Sequence, residues 1–130
     1  MANLKPNNVI RVPCDKKDLF KYWLEFLAQF HHLTGRELEV AALYLEKRYE
    51  LSKVILDPIL LDRTLFSEDV QREIKDICGM SSPHYQVILS KLKSKQFFLN
   101  KQINPRLIPN IRENEGMFQL LLILDCQNEV

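Results

Sequence analysis

Apolar residues recur at helical spacing along most of this chain, and the gaps between the runs carry capping residues. Leu19, Phe20, Trp23, Leu24, Leu27 and Phe30 predict an aromatic-rich helix over 16–30, with Asp15 as its cap. Thr34 and Glu37 have the spacing of a capping box, in which the two side chains satisfy each other's orphan amides, and Leu33 and Leu38 stand where a hydrophobic staple closes. A helix is expected from there to about Tyr49, burying Leu38, Ala41, Ala42 and Leu45. Residues 51–66 are apolar but interrupted by Pro58, so a short helix near 58–63 is expected after Asp57. Ser67 then caps a helix over 68–78 with Val70, Ile74, Ile77 and Cys78 inward, and Gly79 supplies a left-handed C-cap.

After Gly79 the spacing predicts one more helix, over 83–95, with Ser82 as cap and Pro83 in the first position. Tyr85, Ile88, Leu89 and Leu92 form its inner face. Short β-branched or almost wholly apolar runs lie before and after these helices. Val9–Val12, residues 97–103 and residues 117–124 read as strands, separated in the last two cases by a Pro/Asn-containing excursion at 104–116. The fold class expected is α+β, in one domain over 1–130: a strand and helix in 1–32, a core in 33–124 and a tail at 125–130.

Charge sharpens this picture. The formal net charge of +1 conceals an uneven distribution. Residues 81–112 hold six Lys or Arg and no acid, residues 13–80 hold ten basic and thirteen acidic side chains, and residues 113–130 hold four acids and no base. A basic segment that begins as a helix and ends extended fits contact with nucleic-acid phosphate. On the expected helix the outward positions are His84, Gln86, Val87, Ser90, Lys91, Ser94 and Lys95. His84 and Gln86, near its start, are placed to read bases, glutamine pairing bidentately with adenine. Ser81 and Ser82 with the helix N-terminus suit a phosphate. Ser90, Lys91, Lys93 and Lys95 continue the surface, and Lys101 and Arg106 extend it beyond the helix. The same lysines would also serve as an ordinary solvated helix face, favoured near a helix C-terminus.

Other chemistry finds little support. Cys14, Cys78 and Cys126 are odd in number and far apart, which matches neither a disulfide framework nor a zinc knuckle. Three glycines form no phosphate-cradling loop. His31-His32 lacks a nearby third metal ligand, and no histidine accompanies Cys14 as a base. No enzyme activity, cofactor or metal is therefore expected. No apolar run reaches the roughly 18–20 residues of a bilayer span, and the start MANLKPNNVIRVPCD lacks the apolar stretch of a signal peptide. No membrane partner and a cytoplasmic location are expected.

Helix, glycine turn, helix, then strand–loop–strand resembles the winged helix-turn-helix family, particularly MarR-like small regulators. Leu33-Thr34-x-x-Glu37 matches the family's opening motif, Ile74, Cys78 and Gly79 the approach to the turn, Ser81 and Ser82 the turn itself. Tyr85, Leu89 and Leu92 match the apolar places of the recognition helix, and Phe97-Phe98 the start of the wing. Lys75 stands where the family often has alanine, Gln96 where a glycine normally follows the recognition helix, and the wing lacks the usual Asp-Arg pair. The resemblance implies a double-stranded DNA partner, helix 83–95 in the major groove and a wing over 99–112. Operators read by two-fold dimers add a homodimer, with Phe20, Trp23 and Leu27 of the aromatic helix as its interface. The stretches WLEFLAQF, RELEVAALYLEKRYELSKV and INPRLIPNI are also similar to small proteins of tailed phages of gut bacteria. That similarity implies either a phage regulator acting in the infected cell, or an adaptor in a virion whose partners are phage structural proteins.

Overall fold

A computed structural model describes residues 13–114 and 117–119. Within them six helices and two small antiparallel hairpins form an α+β arrangement dominated by helix. After a 3-10 turn at Lys16–Asp18 come α1 (Leu19–Phe26), α2 (Ala28–His31), α3 (Gly35–Ser52), α4 (Pro58–Leu65), α5 (Glu68–Cys78) and α6 (Ser82–Ser94). Strands β1 (Phe98–Leu99) and β2 (Gln102–Ile103) form one hairpin, β3 (Arg112–Asn114) and β4 (Met117–Gln119) the other. The expected strand at Val9–Val12 lies outside the described residues, as does the end of the expected strand 117–124.

The long α3 is the axis of the fold; α1, α4, α5 and α6 all pack on it. Thr34 and Glu37 form the expected capping box at its start. Core side chains from all five helices meet there: Phe20 and Leu24, Val40, Tyr44 and Leu45, Leu65, Val70 and Ile74, Tyr85 and Leu92. Two hydrogen bonds cross the core. The Trp23 indole donates to the Leu107 carbonyl at 2.9 Å, tying the aromatic helix to the chain after β2. The Tyr44 and Tyr85 hydroxyls lie 2.7 Å apart, joining α3 to α6.

Several sequence expectations need correction. The helix expected over 16–30 is broken: Leu27 leaves helical geometry between α1 and α2, and His32 ends α2 in a left-handed conformation. The buried His31 explains this corner. Its Nδ1 accepts the Leu33 amide at 2.9 Å and its Nε2 faces the Leu24 carbonyl at 2.6 Å, an arrangement that assigns the proton to Nε2. A histidine thus partners the Leu33 amide at the chain reversal and adds a second bond to the Leu24 carbonyl, which also accepts the Leu27 amide at 3.1 Å.

Helix α3 runs past Tyr49 to Ser52, and α4 past residue 63 to Leu65. On α5, Val70, Ile74 and Cys78 face inward as expected, whereas Ile77 is 62% exposed although it shares a side of the helix with Val70, seven residues earlier. Ser81, not Ser82, caps α6: its Oγ accepts the His84 amide at 3.3 Å, while the Ser82 hydroxyl is engaged by Lys75 Nζ at 2.9 Å. Pro83 then sits second in the helix, where a missing amide is equally harmless.

The single strand expected over 97–103 is two. Asn100 and Lys101, at φ 50° and 61°, make a two-residue turn that pairs Phe98 with Ile103 and Leu99 with Gln102. Two consecutive left-handed residues define the tight hairpin turn whose twist matches its strands. Asparagine accepts that geometry readily; lysine does so at a cost, which is why the turn is hard to see in the sequence.

Candidate nucleic-acid interface

The outward face of α6 is built by its cap and its apolar stripe. Ser81 fixes the start, and Tyr85, Ile88 and Leu92 bury one side against α3. His84, Gln86, Val87, Ser90, Lys91, Lys93 and Ser94 are all exposed. Val87, 51% exposed, lies near the middle of that face, close to Ser90. Lys93 makes no ion pair among the described residues, and Lys91 reaches only a long contact of 4.0 Å with Glu37.

Lys95 behaves differently. Its Nζ donates to Glu37 Oε1 at 2.5 Å and to the His32 carbonyl at 2.9 Å, and only about a third of its side chain is exposed. Glu37 is one of the two buried polar or charged residues among those described, the other being His31. Burial alone would raise the Glu37 pKa. The Lys95 hydrogen bond, the Thr34 amide and the charges of Lys95 and Lys91 outweigh it, and the pKa lies below the ordinary glutamate value. Lys95 is therefore a strut between the end of α6 and the start of α3, with its charge already matched. Glu37 was read from the sequence only as a capping residue; its second role carries no local signal, because its partner is 58 residues away.

Beyond α6 the basic residues spread out. Gln96 adopts φ 66° directly after the helix, a left-handed geometry that favours glycine. Arg106 is exposed on a 3-10 turn at Pro105–Leu107, started by Asn104, whose Oδ1 accepts the Arg106 amide. Lys101 stands at the β1–β2 turn, and that turn lies against α4 and α5, lining a groove with Ile59, Arg63 and Gln71. Phe98 anchors the hairpin there, its ring 5.0 Å from that of Tyr44 and 5.1 Å from that of Phe66.

The residues expected at a dimer interface are placed otherwise. Phe20 is 2% exposed and belongs to the core, Leu24 beside it is fully covered, and Trp23 and Leu27 are half-buried against that core. The aromatic side chains that α1 and α2 leave outside are Tyr22, Phe26 and Phe30, spaced i, i+4, i+8.

Other chemistry is sparse. Cys14 is exposed; Cys78 is buried, its thiol pKa raised by that burial and by Glu39, against the Arg36 charge. Among the described residues no cluster of three potential metal ligands occurs, and no helix is long and apolar enough to cross a membrane. Comparison with protein-family models, with curated proteins and with solved structures finds no match to this chain.

Proposed function

We propose that the chain is a winged helix-turn-helix protein that binds double-stranded DNA and regulates transcription, with α6 in the major groove. The observation that carries this reading is the solvent-facing side of α6, where His84, Gln86 and Ser90 stand with Lys91 and Lys93 in a segment free of acids. The order α3, α5, α6 and hairpin supports it, as does the left-handed Gln96 between helix and hairpin. Ser81 and Ser82 open the reading helix; Lys101 and Arg106 lie on the wing side. Lys95 drops out as a phosphate ligand because Glu37 holds it.

Four remaining cations, each neutralising one phosphate, predict a salt slope of roughly −3.6, from about 0.9 per phosphate. Fluorescence-anisotropy titration with mixed-sequence duplex DNA at about 50 and 200 mM salt should show affinity falling by about two orders of magnitude. Absence of binding at the lower salt overturns the reading. If the protein acts as a dimer, Tyr22, Phe26 and Phe30 are the side chains available for it.

A second reading rests on a separate observation. Val54, Leu56, Ile59 and Leu60 are 78, 88, 70 and 46% exposed, a run of large apolar side chains in one short stretch. Such patches mark protein contacts. In this reading the same fold is a non-enzymatic adaptor in an assembly such as a phage particle.

A further inference from the structure

Helix α4 turns Ile59 and Arg63 away from the core, while Phe66, at its C-cap, packs against it. Ile59, Asp62, Arg63 and Phe66, at the i, i+3, i+4, i+7 spacing of a single helix face, form one wall and the floor of an open groove of about 690 Å³. The β1–β2 turn closes the other side through Lys101. Both ends of this construction are firmly held. Asp57 caps α4 by accepting the Ile59 amide at 3.0 Å, and the hairpin is pinned by the Tyr44–Phe66–Phe98 ring cluster. The groove is therefore a preformed feature of the packing.

Its chemistry is mixed in a specific way. Ile59 presents apolar surface that the fold does not use, and Leu60 and Leu56 continue it along the chain. Arg63 and Lys101 flank it, and neither has an ion pair or side-chain hydrogen bond among the described residues; Asp62 is the one carboxylate in the lining. Two unmatched cations beside exposed aliphatic surface complement a ligand that is apolar on one side and anionic at its edge. Arginine adds bidentate recognition of a carboxylate. DNA is the poorer fit, since it offers no aliphatic group large enough to cover Ile59 and Leu60.

We infer that this groove docks an acidic amphipathic peptide of a partner protein, its leucine-type side chains seated on Ile59 and Phe66 and its carboxylates on Arg63 and Lys101. This goes beyond DNA binding by α6 and gives the adaptor reading a definite contact. Helix-in-groove recognition of this kind uses anchors at i, i+3 or i+4, and i+7.

The probe is a fluorescein-labelled synthetic helical peptide with leucines at those positions and glutamates flanking them, compared with a twin carrying lysine for every glutamate. Anisotropy should show micromolar binding of the acidic peptide alone, weakened roughly tenfold or more by Arg63→Glu and by Ile59→Asp. Both positions are exposed, and circular dichroism of each variant checks that it remains folded. Arg63→Lys keeps the charge but loses the bidentate fork, so its affinity should fall between those of the unaltered protein and Arg63→Glu. Equal binding of the lysine twin, unchanged affinity in both variants, or no binding by the unaltered protein overturns the proposal. Loss of duplex-DNA binding in Arg63→Glu, with no peptide bound, overturns it too by assigning the groove to nucleic acid. Neither substituted residue belongs to the α6 surface, so failure here leaves the DNA reading separately testable.

Discussion

Lys95, in the turn that ends α6, donates its ammonium proton to the buried carboxylate of Glu37 in the first turn of α3. This pair holds the C-terminal end of α6 against the axis of the fold, as the Tyr44–Tyr85 pair holds its start. Removing one partner of a fully buried pair costs about 3–5 kcal/mol because the other charge is stranded. Lys95 keeps about a third of its side chain in water, so about 1–3 kcal/mol is expected for Lys95→Met, read from the urea midpoint.

The same pair predicts a pH dependence. The Glu37 pKa is depressed in the folded state, so the folded protein resists protonation there more than the unfolded chain does. The resulting stability is complete above the ordinary glutamate range and is lost as pH falls through the lowered folded value. Urea midpoints measured from pH 6 down to about 3 should fall less steeply in Glu37→Gln than in the unaltered protein.

Tyr44 and Tyr85 give a test of the opposite sign. Burial raises both phenol pKa values above the ordinary range near 10. Their contribution is complete below the unfolded pKa and is lost as pH rises past it, so their ionisation at 295 nm should coincide with alkaline unfolding. Either single Tyr→Phe change strands one buried hydroxyl and should cost about 1–3 kcal/mol. The double change should cost less than the sum, with a coupling energy of roughly 0.5–3 kcal/mol in a double-mutant cycle.

What the sequence made legible is what neighbours in the chain determine. The Thr34–Glu37 box, the Ser67 cap and the Gly79 terminus each lie within one or two turns of the residues they serve, and each is present. Spacing gave most of the buried faces of α3, α5 and α6, but it missed the fully buried Val40 and Tyr44, and Leu38, Leu89 and Ile77 are less covered than expected. What could not be read depends on distant partners. Nothing near residue 31 announces that a histidine will satisfy Leu24 and Leu33. Nothing near Lys95 shows that an acid 58 residues earlier awaits it. Phe20 and Phe26 are chemically alike in the sequence, yet one is core and the other 59% exposed, because α1 presents only one of its sides to α3. The groove beside α4 likewise exists only once the hairpin is folded back.

Gln96 offers a direct check on the turn after α6. A non-glycine residue in the left-handed region costs about 1–2 kcal/mol, and glycine returns roughly 0.5–1 of this as lost unfolded-state freedom. Gln96→Gly should therefore stabilise by up to about 1 kcal/mol, shifting the urea midpoint at constant slope. Destabilisation would mean that the Gln96 side chain makes a contact worth more than its backbone strain. The Asn104 side chain, which donates to the Gln96 carbonyl at 3.0 Å, holds this turn in both forms.

The separate roles assigned to two lysines of α6 can be distinguished by salt. Lys93 is exposed and unpaired among the described residues, whereas Lys95 is bound to Glu37. If α6 docks on DNA, Lys93→Gln should reduce the slope of log affinity against log salt by about 0.9 while leaving the melting temperature nearly unchanged. Lys95→Gln should do the reverse, lowering the melting temperature and sparing the slope. A slope that falls with Lys95→Gln as well as with Lys93→Gln would show that Lys95 leaves Glu37 on binding. The strut would then be a latch broken by DNA, and the salt slope of the unaltered protein would be near −4.5, five contacts at about 0.9 each.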